Sequence, residues 1–194
     1  MRKKELLIHH PIHDAGFPSE EIIPPGGFGA VLARAGVGKT AFLVQLALHA
    51  MLQERDILHV SLHDPVNKID LWYRELFRNM AGRYGVPRAN DLWQDIMVHR
   101  FIMTFKVDTF TVPKLEERLT DLTVQGIFHP RMLIMDGLHF DETIQEKLAA
   151  LKALAGRCSM AVWFTVHTHR HEAAGPSGQP VSMDALSGLF DAVI

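Results

Sequence analysis

The segment Gly36-Val37-Gly38-Lys39-Thr40 constrains this chain more than any other, because of what stands on either side of it. Gly27 to Ala33 (GFGAVLA) is a short apolar run bounded by glycine, the pattern of a strand buried on both faces. Lys39 to Gln53 is apolar nearly all round, as expected of a helix packed deep against a sheet. Gly36 and Gly38 permit backbone N–H groups to turn inward between the two. The helix starting near Lys39 directs its N-terminal partial charge at the same point. A turn of this kind is a cradle for phosphate oxygens.

Downstream, the chain alternates. Asp56 to Leu62 (DILHVSL) has the composition of a strand, and residues 66–83 carry Ile69, Leu71, Trp72, Leu76, Phe77 and Met80 at helical spacing. A short helix over 89–95 and a strand over 96–103 follow. Pro113 then starts a helix whose apolar face is Leu115, Leu119 and Leu122. Arg131 to Asp136 is a strand, 142–155 a helix, and Met160 to Val166 another strand. A helix near 183–189 and a strand from Asp191 to Ile194 close the chain. Strands alternating with helices predict an α/β fold, a parallel sheet sandwiched by helices. Residues 1–26, punctuated by Pro11, Pro18, Pro24 and Pro25, are expected to be an irregular lead-in to one nucleotide-binding domain over 27–194.

The eight residues Ala33 to Thr40 (ARAGVGKT) match the phosphate-binding pattern G-x-x-x-x-G-K-[ST] except at the first position, where Ala33 replaces glycine. In that pattern Lys39 reaches the β- and γ-phosphates and the Thr40 hydroxyl ligates Mg²⁺. The predicted nucleotide-binding set is Ala35, Gly36, Val37, Gly38, Lys39, Thr40 and Ala41. A second magnesium ligand is needed at the end of a neighbouring apolar strand, and Asp136 at the end of Met132-Leu133-Ile134-Met135 fits that role. The expected ligands are ATP and Mg²⁺.

With ARAGVGKTAFLVQLA, ILHVSLHDP and MLIMDGLHF in place, the chain from Gly27 to Ile194 resembles the RecA-like ATPases. Within them it is most similar to replicative helicases of the DnaB and plasmid RepA kind. The resemblance implies a RecA-like core whose strand after Asp136 inserts beside the strand before the loop, bringing His167 near the γ-phosphate. It also implies oligomers that complete their sites with a neighbour's arginine, for which Arg170 is a candidate. The family's water-polarising glutamate falls at His63 in this chain, with Asp64 adjacent. Where many other P-loop ATPases have a glutamate after the Walker B aspartate, this chain has Gly137, and Asp141 and Glu142 lie farther on. His63, Asp64 and His167 are therefore the catalytic candidates, with His139 and Thr168 as further polar groups at the strand ends.

A formal net charge of −2 gives no global pull toward nucleic acid or membrane. The loop 171–182, placed where RecA-like proteins contact DNA, contains no lysine or arginine, which weakens the case for DNA as a partner. Arg78, Arg83, Arg88 and Arg100 are the alternative source of a basic patch. The apolar run near the N-terminus ends at His9-His10-Pro11, too short for a signal peptide, and no run is long enough to span a bilayer. A cytoplasmic protein with one buried, reduced thiol (Cys158) is expected. His167, His169 and His171, like His9, His10 and His13, match no standard zinc spacing. Two functional classes stay open: an ATPase motor, and a regulator that binds nucleotide without efficient turnover.

Overall fold

Six strands form one sheet in the order β3-β2-β4-β5-β1-β6, and every neighbouring pair runs parallel. They are β1 (Phe28–Ala33), β2 (Ile57–Ser61), β3 (Arg100–Thr104), β4 (Met132–Asp136), β5 (Ala161–His167) and β6 (Ala192–Val193). The computed structural model describes residues 3–19, 21–34, 36–140, 144–168 and 186–194. Helices α3 (Lys39–Leu52), α4 (Val66–Arg83) and α5 (Ala89–Met97) cover one face of the sheet, and α6 (Val112–Val124) and α7 (Ile144–Cys158) the other.

The strands are apolar along their length because both faces are covered. Leu58, Val60, Leu133, Met135, Val162 and Phe164 pack under Leu115, Leu119, Leu148 and Leu151 of α6 and α7. The alternate residues Ile57, Ile134 and Trp163 pack under Leu43, Leu46, Ile69 and Phe77 of α3 and α4. Helix α4 turns Ile69, Tyr73, Phe77 and Ala81 inward, one per turn. Helix α3 buries residues all round because α4, the sheet and the N-terminal segment enclose it. No helix among the described residues is long and apolar enough to cross a membrane.

The structure departs from expectation at several places, among them α7, which runs on to Cys158 and leaves its thiol half-buried rather than buried. The lead-in holds two short helices, α1 (Lys3–Ile8) and α2 (Pro11–Asp14), with Leu6 and Ile12 buried in the same core as α3. The turn is set locally: Pro11 pre-forms the first helical φ, and His10 caps it by accepting the Ile12 N–H on Nδ1 at 3.2 Å. Strand β3 starts at Arg100 rather than at 96, because α5 runs on to Met97 to bury both Trp93 and Ile96. Of the helix expected near 183–189, the described part is a single 3₁₀ turn, Ser187–Leu189, and residues 183–185 lie outside the described residues.

A buried histidine faces α4. His59 of β2 is fully buried, with Nδ1 3.1 Å from the Tyr73 hydroxyl. Burial pushes its pKa from 6.5 down to about 4, against the opposing pull of Asp136. The folded state therefore holds the ring neutral while the unfolded chain takes up a proton below pH 6.5. His59 contributes stability that is complete above that pH and is lost as pH falls toward 4.

Two outcomes test this arrangement. Leu6→Ala is expected to cost about 2–5 kcal/mol in a denaturant titration, as a core leucine does; a cost of only a few tenths would make the N-terminal segment a loosely attached tail. Stability measured between pH 7.5 and 4.5 is expected to fall more steeply in the parent chain than in His59→Leu. Coincident slopes would mean that His59 is not held neutral.

Candidate functional site

All six strands point their C-terminal ends to one edge of the sheet, and the predicted site residues gather there. Strand β1 ends at Ala33 and the chain passes through the glycine turn into α3. Gly36 and Gly38 take φ of 78° and 98°, and a Cβ at either would meet nothing within 4 Å. Backbone conformation, not crowding, is what demands glycine here. Gly38 is the N-cap of α3 and supplies no side-chain hydrogen bond to the helix. The first amides of a fourteen-residue helix are thus left for an external acceptor. Val37 stands exposed at the tip and Ala41 is half-buried in the first turn. Ala35 lies outside the described residues.

Lys39 folds back along the loop, donating from Nζ to the carbonyls of Ala33 at 2.7 Å and Arg34 at 2.9 Å. Partial burial lowers its pKa and the Asp136 carboxylate opposes that shift. The next residue makes the decisive contact. Thr40 Oγ1 donates to Asp136 Oδ2 at 3.1 Å, joining the start of α3 to the end of β4.

Asp136 is held from its other side by a residue that the sequence reading missed. Thr165 of β5 donates to Asp136 Oδ1 at 2.7 Å, and its oxygen accepts the Gly137 N–H at 3.1 Å. Its signal lay in MAVWFTVH: one hydroxyl in an otherwise apolar strand, two residues from Trp163 and therefore on the α3 face. The carboxylate is oriented so that one oxygen meets β5 and the other meets α3. Thr40 and Asp136 together present a set of hard oxygen donors, the kind that suits Mg²⁺.

The catalytic candidates fare differently. Ser61 ends β2 opposite Asp136 in the β2–β4 register, and the chain leaves the sheet through Leu62. His63 is exposed, its ring against Gly137 and 5.3 Å, centroid to centroid, from the ring of His139. Asp64 turns away to an ion pair with Lys68 at 2.7 Å, an i,i+4 contact at the start of α4. His167 ends β5 opposite Ala33, exposed at the same edge, and Thr168 donates its N–H to the Ala33 carbonyl at 3.3 Å.

Other expectations divide similarly. Arg100 does not belong to a surface patch: its side chain is 4% exposed, ion-paired with Asp70 and 4.4 Å above the Tyr73 ring. Among the described residues no group of three or more His, Cys, Asp or Glu is placed to hold a metal. Asp141, Glu142, His169, Arg170 and the loop 171–182 lie outside the described residues. No family model matches the chain, and no curated protein matches it.

Thr165→Val keeps the shape and removes the hydroxyl. It leaves the Gly137 N–H and one carboxylate oxygen without their partner, so a loss of about 1–3 kcal/mol is expected in a denaturant titration. Thr165→Ser should recover most of it; equal losses in the two variants would discard the hydrogen-bonding role.

Proposed function

We propose that this chain is an ATP-binding protein of the RecA-like P-loop class that takes its nucleotide with Mg²⁺. The observation that carries the reading is the Thr40–Asp136 hydrogen bond at 3.1 Å, which links the two magnesium candidates across 96 residues of chain. Two left-handed glycines with open space around them and an uncapped helix N-terminus beside them suit a polyphosphate. Strand order adds support, since β5 lies between β4 and β1 as the resemblance implies.

In this reading Lys39 exchanges its two carbonyl acceptors for the β- and γ-phosphates. Amides of Gly36 to Ala41 donate to the phosphate oxygens, and Thr40 and Asp136 hold the metal. His63 and His167 stand at the triphosphate end. Hydrolysis by an oligomer in the manner of the RecA-like motors is the fuller form of this proposal. A nucleotide-dependent regulator is the second form. It is favoured by Asp64, whose carboxylate is engaged by Lys68 and leaves an imidazole where a carboxylate usually activates water.

Titration with Mg·ATP is expected to show saturable binding and a raised melting temperature, both weakened at least about tenfold by Lys39→Ala through the loss of charge-assisted hydrogen bonds. Absence of saturable binding by the parent chain would overturn the nucleotide reading. Turnover assayed with and without single-stranded DNA then separates the two forms. Lys39-dependent hydrolysis rejects the regulator, and binding without hydrolysis in either condition rejects the motor.

A further inference from the structure

The loop joining β2 to α4 is built to hold one side chain. The last rung of the β2–β4 ladder is the Leu62 N–H donating to the Asp136 carbonyl at 3.0 Å. Beyond it the sheet offers no acceptor to the next amides. The Ser61 hydroxyl takes over, accepting the Asp64 N–H at 2.9 Å and the His63 N–H at 3.4 Å. A serine side chain bonding the amides two and three residues on closes a tight turn that no ladder could make. Ser61 is itself only 1% exposed, so this hydroxyl does not exchange its partners for solvent. The loop ends at once in Pro65, the N-cap of α4, which fixes the far side.

What the turn presents is the His63 ring, and the opposite strand has made room for it. Gly137 takes φ of 87°, and a Cβ there would run into the Cδ2–Nε2 edge of His63. Glycine is required at this position twice over, by its backbone angle and by the space that the imidazole occupies. His139 flanks the ring at 5.3 Å with the planes 39° apart. Gly137 is also the residue whose N–H is tied to Thr165, so the seat of the ring belongs to the structure that orients Asp136.

We infer that Ser61 and Gly137 are positioning residues that hold the His63 imidazole in one place at the triphosphate end of the site, Ser61 through the backbone and Gly137 through the ring. The inference rests on the nucleotide reading above for its purpose, not for its geometry. In the hydrolytic form, the imidazole takes the proton that water releases as the water oxygen bonds to the terminal phosphorus. The bond from that phosphorus to the leaving diphosphate oxygen breaks in the same step. Of the two neighbours on this loop His63 is the one free to act so, because the Asp64 carboxylate is paired with Lys68.

The test has one arm that needs no turnover. Imidazole ring resonances of the full chain are recorded without nucleotide, those of His63 being assigned by their loss in His63→Gln. In Ser61→Ala the His63 resonances are expected to move away from their parent position and toward those of an unrestrained histidine, and in Ser61→Thr to return. Gly137→Ala should displace the same resonances from the other side, and serves alone if Ser61→Ala does not fold. The second arm is kinetic: Ser61→Ala should bind Mg·ATP within about twofold of the parent while turnover falls about tenfold or more, a loss confined to kcat. His63 resonances unchanged in the folded variants overturn the inference. An equal loss of binding and turnover does so too, since that marks general damage. A parent chain that binds Mg·ATP without hydrolysing it fails the hydrolytic reading, and the ring resonances still decide whether Ser61 and Gly137 place His63.

Discussion

A sheet whose strands all run the same way cannot be half-exposed, because every connection must cross over one face and return, and the crossovers cover both. That constraint organises the whole molecule. It demands apolar residues at nearly every strand position and helices on both faces to cover them. It also brings the carboxyl ends of all the strands to one edge, where connections leave the sheet and backbone amides lose their ladder partners. Several polar residues of this fold collect at that edge, where a hydroxyl or carboxylate can serve the unpaired groups. Ser61, Asp136, Thr165 and His167 are the last or nearly the last residues of β2, β4 and β5. Ser61 is bonded to the loop that follows it, and Thr165 to both Asp136 and the Gly137 amide of the loop that follows β4.

The site therefore owes its geometry to a division of labour between strands and helix. Strands β4 and β5 orient a carboxylate; helix α3 supplies the hydroxyl that meets it and the amides beside it. The glycine turn lets these two parts come together without a side chain intervening. Lys39 donates to two carbonyls of its own loop, so under the proposed reading a phosphate would replace existing hydrogen bonds instead of quenching a bare charge. The net gain from such an exchange is smaller than the gross strength of either contact.

Much of this was legible in the residues. The strand-turn-helix around Gly36 to Lys39, the strand ending in Asp136 and helix α4 follow from periodicity and from glycine spacing, because those signals are local. The N-terminal helices were not legible, since prolines punctuate them and each is too short to show a period; what holds them is contact with α3, which no local pattern encodes. The boundary of α5 moved because Trp93 and Ile96 face the same core, a tertiary preference that outweighs the strand-like composition of 96–99. Thr165 was hidden within an apolar strand for the opposite reason: its importance comes from being next to β4 in space. Arg100, offered by its charge as part of a basic patch, is an internal cation over the rings of Tyr73 and Trp93.

The insertion of β5 between β1 and β4 has a mechanical corollary. Two strand spacings, about 9–10 Å, separate the end of the loop strand from the end of the strand bearing Asp136. The Thr40–Asp136 bond bridges that gap only because α3 lies across β5 as well as β1 and β4. The reach across to Asp136 is consequently set by the one strand between, which carries Thr165 against the carboxylate and His167 at its exposed end. Sliding or tilting β5 would carry Thr165 with it, and so disturb the frame that orients Asp136 toward Thr40.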